Sequence, residues 1–128
     1  MKKNSLIILC ILSCASLAAQ KTVHKVIADN AVTVIEINAS QAYELVVKTA
    51  ASPRIDIQAV MDGEYGQDIM INTHKESGHF IIGTSFNPSF RDPNDKLSAH
   101  KVISVLLIVE LPENSDLIVS GGNTHITV

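Results

Sequence analysis

The five histidines are the most versatile side chains in this sequence, and their spacing limits what they could do. His24, His74, His79, His100 and His125 fall on separate segments, and only His74 and His79 flank a common turn, Lys75-Glu76-Ser77-Gly78. Across a hairpin their side chains could meet. Zinc, however, wants three or four ligands, usually at tighter spacings, and solvated turn histidines account for the same pattern. Asp92-Pro93-Asn94-Asp95 offers three oxygen-bearing side chains within four residues, which a calcium ion could use together with backbone carbonyls. It lacks the spacing and the glycine of a defined calcium loop, and an ordinary Asx turn explains it as well. No metal ligand is therefore assigned.

Nucleophilic chemistry fares no better. A hydrolase serine sits on a strained turn with a histidine and an acid gathered around it, and neither Gly83-Thr84-Ser85 nor Ser120-Gly121-Gly122 has that context. Gly121-Gly122 is not followed by a helix that could present amides to a phosphate. Paired carboxylates of the glycosidase kind depend on a separation that the fold sets, and no pair stands out. These residues assign no catalytic role and no cofactor, so the chain reads as a non-enzyme.

The thiols go the same way. Both cysteines, Cys10 and Cys14, lie near the N-terminus within Lys2-Lys3, the apolar run Leu6 to Leu12, and the small residues Ser16-Leu17-Ala18-Ala19. A basic start, a short apolar stretch and small residues before a cut describe a secretory signal peptide, residues 1–19. The apolar run is shorter than the roughly 20 residues that cross a bilayer as a helix, and no later segment is longer than a strand, so no transmembrane span is expected. Ile11-Leu12-Ser13-Cys14 also resembles a lipobox, in which Cys14 would be acylated and tether the domain to a membrane. Cleavage near Ala19 is the other reading. Beyond residue 19 there is no cysteine, which removes disulfides, thiolate metal sites and cysteine nucleophiles together.

After that cut the chain keeps 8 basic and 13 acidic residues, a net charge of −5. Nucleic acids and anionic lipids are recognised by Lys and Arg gathered on one face, and no basic cluster exists here. Residues 20–128 are enough for one modest core, and no linker-like stretch divides them.

Short runs rich in Val and Ile, parted by turn residues about every 10 positions, signal an all-β sandwich or related architecture. The pattern predicts nine strands: Val23 to Ala28, Ala31 to Asn38, Tyr43 to Thr49, Arg54 to Met61, Asp68 to Thr73, His79 to Thr84, Lys101 to Leu111, Asp116 to Ser120 and Thr124 to Val128. Arg54-Ile55-Asp56-Ile57-Gln58-Ala59 alternates strictly, as a strand covering one side of a core does. Val102 to Val109 is apolar on both faces, which predicts a central strand held between layers.

One connection breaks the rhythm. Residues 85–100 form a long polar loop that holds Pro88 and Pro93 and spaces Phe86 and Phe90 four residues apart. Loops of about 15 residues are uncommon in compact domains and are often functional. Phe86, Phe90, Arg91, Asp92, Asn94 and Asp95 are accordingly the candidate interaction residues, the alternative being that the two phenylalanines fold back to cap the core. Val128 falls inside an apparent strand, so either the chain continues or that strand tucks into the sheet. Short strands at near-equal spacing from Leu106 onward also fit the start of a β-solenoid.

The stretch Phe86-Asn87-Pro88-Ser89-Phe90, then Asp92 to Ser104, then Val109-Glu110-Leu111-Pro112-Glu113-Asn114, resembles a group of small uncharacterised secreted proteins of flavobacteria. The succession of strand, Leu-Pro-Glu-Asn turn, strand and Gly-Gly-Asn turn is similar to the putative adhesin domains of the Bacteroidota. The resemblance spans about residues 80–128. It implies a β-roll or β-solenoid at the cell envelope or outside the cell, and it carries no catalytic or binding residues to transfer.

Together these readings predict an exported, non-enzymatic envelope protein. Its all-β domain, of short antiparallel strands in a sandwich or β-roll, would contact a protein, a glycan or another copy of itself through edge strands or the loop. A periplasmic module that binds a small ligand or a metal through His74, His79 and Asp92 to Asp95 is the alternative.

Overall fold

The computed structural model describes residues 20–28, 34–63, 66–89, 91 and 103–128. The segment 1–19 with Cys14, and the loop residues Phe90, Asp92, Asn94 and Asp95, lie outside them. The described residues form nine strands: β1 (Lys21–Ala28), β2 (Val34–Asn38), β3 (Glu44–Ala50), β4 (Arg54–Gly63), β5 (Ile69–Glu76), β6 (His79–Phe86), β7 (Ile103–Pro112), β8 (Asp116–Ser120) and β9 (His125–Thr127), with one 3-10 turn at Gly66–Asp68.

Alternation of apolar and polar residues drives the architecture. In β4, Ile55, Ile57, Ala59 and Met61 are buried while Asp56, Gln58 and Val60 turn outward. Ile35 and Ile37 of β2, Leu45 and Val47 of β3, Ile69 and Ile71 of β5, Phe80 and Ile82 of β6, and Val105, Leu107, Val109 and Leu111 of β7 complete one core shared by two sheets. A strand hides every second residue on one face, so two such sheets laid face to face bury both apolar sets. No polar or charged residue among those described is buried.

The sheets are mixed. One runs β1-β4-β7-β3-β9 and the other β5-β6-β2-β8. The antiparallel pairing expected from the sequence holds for β1 with β4, β4 with β7 and β5 with β6. The pairs of β2 with β6 and β8, and of β3 with β7 and β9, are parallel. The cause is a stack of rungs: β6 to β7, β2 to β3 and β8 to β9 each cross from the smaller sheet to the larger one and lie on one another in that order. Stacking order differs from chain order, since β2 and β3 sit in the middle, so the unit is a roll and not a solenoid wound in sequence.

The central strand is β7, third of five in its sheet. Its inward residues Val105, Leu107 and Val109 are fully buried. The expectation that layers cover it on both sides needs correcting: among the described residues no strand or helix lies over its outer face. There Leu106 and Ile108 are half-buried beside Val60 and Val46 of the neighbouring strands. A double-sided apolar run here reflects cross-strand contact on an outer face, a pairing that itself stabilises sheets.

The hairpin between β5 and β6 closes through Ser77 and Gly78, both with positive φ (52° and 82°), and pairs Glu76 with His79. Positive φ at both central positions is what a two-residue turn matching the twist of the strands requires.

At the β1 and β5 end of the sandwich, two lysines close the gap between sheets. Lys21 donates from Nζ to the carbonyl oxygens of Gln67 (2.9 Å) and Ile69 (3.2 Å), and Lys25 donates to Thr73 Oγ1 (2.5 Å). Asn87 N–H donates to Asp68 O, which places the Asp68 carbonyl toward β6 and leaves those of Gln67 and Ile69 on the free side. Lys21 thus occupies acceptors that an invading strand would use, the usual service of lysine at a sheet edge. Replacing both Lys21 and Lys25 by alanine is expected to cost the monomer about 1 kcal/mol or less. The larger effect is expected in solution, where the variant scatters light at lower temperature and concentration than the parent. Unchanged scattering would show that the lysines do not guard the edge.

Candidate functional site

The loop nominated by the sequence begins later than expected. Ser85 and Phe86 belong to β6, and Phe86 pairs with Ile69 and packs against the core. The reason is apolar: β6 extends until its last inward side chain is covered, and Ser85 is held by the Asn72 side-chain amide. Beyond it Asn87 Oδ1 accepts from both the N–H and the hydroxyl of Ser89 (3.1 and 2.9 Å), an Asx turn that bends the chain away. Arg91 is exposed.

His74 and His79 share the outer face of the β5–β6 hairpin but do not oppose each other, since His74 faces Ile81 and His79 faces Glu76. Each has its own carboxylate: His74 Nε2 lies 4.0 Å from Glu76 Oε2, and His79 Nδ1 lies 3.7 Å from Glu36 Oε2. A shallow depression of about 210 Å³ between Glu36, Glu76, Ser77, His79 and Ile81 is widely open. Among the described residues no three His, Cys, Asp or Glu side chains converge to hold a metal. His24 meets Asp56 at 2.6 Å on the outer face of the other sheet, with both side chains exposed. Exposed pairs of this kind are worth little.

What the sequence did not single out is a corner where backbones are stitched together. Between β2 and β3 the chain turns through Ala39 to Tyr43, with Ala42 N–H donating to Ala39 O and Ser40 N–H to Asn38 Oδ1. Tyr43 N–H reaches down to Val105 O of the rung below (3.0 Å). From the rung above, Ser120 O accepts from Ala39 N–H (2.7 Å) and His125 N–H donates to Tyr43 O (2.9 Å). Thr124 Oγ1 stands 2.8 Å from the carbonyl oxygens of both Ala39 and Ala42 and shares its proton between them. Gly121 makes room for it, since a Cβ there would lie 3.1 Å from Thr124 Oγ1. The sequence signals for this corner are the turn residues Asn38-Ala39-Ser40 and Gly121-Gly122-Asn123.

Above this corner the stack ends. β8 and β9 are the outermost strands of their sheets, and among the described residues nothing lies beyond them. The inward residues show the consequence: Leu117 and Val119 are only half-buried, and Ile126, in register with the fully buried Leu45, is 41% exposed. They are core residues cut in cross-section. Ile118 on the outer face is 45% exposed. At the opposite end Lys21 binds the Ile69 carbonyl of edge strand β5; at this one, among the described residues, no side chain binds a backbone group of β8 or β9 on its outer edge, and the edges lie over apolar side chains.

This roll is similar in fold to solved structures. It resembles a putative cell adhesion protein from Clostridium sporogenes with a TM-score of 0.50 and 13% sequence identity, over 80% of this chain and 46% of that one. A putative adhesin from Parabacteroides merdae is matched with a TM-score of 0.46 and 12% identity, over 82% of this chain and 37% of that one. The chain thus spans less than half the length of each structure. At such identities the first likeness concerns the fold. No known protein family matches the sequence, and no curated protein does.

Proposed function

We propose that this chain is an exported, non-enzymatic protein of the cell envelope, and that its roll is an adhesin-like interaction module contacting a protein or a glycan. The observation that carries the reading is the β8 and β9 edge. Lys21 binds the Ile69 carbonyl on the β5 edge, whereas β8 and β9 have no neighbour beyond them among the described residues and lie over partly exposed Leu117, Val119 and Ile126. Free edges recruit strands through main-chain hydrogen bonds and side-chain pockets. The fold resembling that of the putative cell adhesion protein of Clostridium sporogenes supports the same class, as do the signal-like residues 1–19.

The test is made in cells carrying the full chain with a C-terminal tag. Fractionation is expected to place it in the envelope or the medium. Deletion of the gene is expected to reduce attachment of the cells to each other or to a glycan-coated surface. Palmitate labelling that disappears in Cys14→Ser would establish the lipid anchor. A protein that stays in the cytoplasm would end this reading, and so would turnover of envelope polymers by the purified chain.

A further inference from the structure

We propose that β8 is a self-pairing edge: two copies of this chain join antiparallel about a two-fold axis at Ile118, fusing their four-stranded sheets into one continuous sheet. This deepens the interaction reading by naming the occupant of the open end.

The register follows from which backbone groups of β8 have no partner among the described residues. Ser120 O accepts from Ala39 N–H, and Asn38 and Ser120 are partners in the ladder. In a strand the N–H and C=O of one residue point to the same side and alternate along the chain. Asp116, Ile118 and Ser120 therefore spend their backbone groups on β2, while those of Leu117 and Val119 face outward. With the axis at Ile118, Leu117 of one copy stands opposite Val119 of the other, and every outward donor meets an outward acceptor. These are the closely spaced, reciprocally bonded positions of an antiparallel pair, and Ile118 meets its own copy at the non-bonded position, where side chains come closest.

Side chains agree with that register. Leu117 and Val119 continue the apolar interior across the junction, and Ile118 adds an apolar pair on the outer face. Asp116, the one charged residue of β8, falls opposite Ser120, so no like charges oppose. The same axis turns the β9 edges toward each other. His125 N–H is committed to Tyr43 O, which leaves the backbone groups of Ile126 and its 41%-exposed side chain to that contact.

The assembly closes at two. Head-to-tail stacking would need the β5 edge as the acceptor of β8, and Lys21 holds the carbonyls of Gln67 and Ile69 there. An isologous two-fold contact is finite, whereas a heterologous one grows.

Sedimentation equilibrium on the full chain, purified from the envelope in its processed form, is the test. A reversible monomer–dimer equilibrium is expected, with no larger species. Val119→Pro removes an outward N–H that β2 does not use and is expected to weaken the dimer by about tenfold or more. Ile118→Lys sets like charges face to face and is expected to do the same while leaving the monomer's ladder intact. Mixing Ile118→Lys with Ile118→Glu is expected to restore a mixed dimer. A parent chain that stays monomeric at every concentration overturns the proposal, as does a dimer indifferent to all three variants or growth into filaments. If the chain stays monomeric while gene deletion still reduces cell attachment, the self-pairing falls and the interaction module stands.

Discussion

Leu107→Ala is expected to lower the unfolding free energy by about 3 kcal/mol, within the roughly 2–5 kcal/mol typical of a leucine truncated in a well-packed core. Leu107 is fully buried at the middle of β7, and it is flanked in register by Ala59 on β4 and Leu45 on β3. Ala59 is too small to collapse into the space left behind, so most of the cavity persists and its cost adds to the lost transfer energy. The comparison residue is Leu117, half-buried on β8. In the dissociated chain Leu117→Ala is expected to cost about 1 kcal/mol, because burial of apolar area sets the gain. Urea unfolding followed by far-ultraviolet circular dichroism measures both, since the chain has no tryptophan. Equal losses at the two positions would mean that β8 is covered as fully as β7.

The second large effect is expected at the corner. Thr124→Val keeps the shape of the side chain and removes only the hydroxyl, which stands 2.8 Å from Ala39 O and Ala42 O. Both alanines are buried, at 0% and 5% exposure, so water cannot replace the lost donor. Leaving a buried acceptor unmet costs roughly 1–3 kcal/mol. Ala39 O also accepts from Ala42 N–H, and a loss near 2 kcal/mol is expected. Thr124→Ser, which retains the hydroxyl, is expected to recover most of it. Because this hydroxyl ties the outermost rung to the middle one, amide exchange at His125 is expected to accelerate in the valine variant more than exchange at Leu107. If serine behaves like valine, the methyl group and not the hydrogen bond holds the corner.

Elements whose placement depends on local pattern were legible in the sequence. The alternation Ile55, Ile57, Ala59 and the β-branched runs located the strands to within a few residues, and Asp116 to Ser120 was placed at the ends that β8 has. What alternation cannot carry is direction. A run such as Val34 to Asn38 pairs equally well either way by side-chain chemistry. Its parallel ladder to β8 is continued by the corner bond from Ala39 to Ser120, and those of β3 to β7 and β9 by the bonds of Tyr43, all joining residues more than 60 positions apart. The apolar outer face of β7 misled for a related reason, since half-burial of Leu106 and Ile108 by Val46 and Val60 needs the sheet order to be known. Lys21 and Lys25 were read as charge alone. Their service at β5 becomes visible only when β1 and β5 are known to close the same end.

The candidate site was less legible than the fold. Histidines and loop aromatics drew attention because their chemistry is local, whereas a free edge is a property of sheet order and has no residue signature. Leu117, Val119 and Ile126 fall within predicted strands, and only their partial exposure in the fold shows that no described residue covers the core at that end.

Residue-resolved amide exchange of the dissociated chain along β8 is the most direct measurement of that open end. The structure requires alternation: slow exchange at Ile118 and Ser120, whose N–H groups face β2, and fast exchange at Leu117 and Val119, whose N–H groups face solvent. Raising the concentration should then slow Leu117 and Val119 while leaving Ile118 and Ser120 as they were. Uniform protection from Asp116 to Ser120 at high dilution would contradict the account, because it would place another part of the chain on the edge.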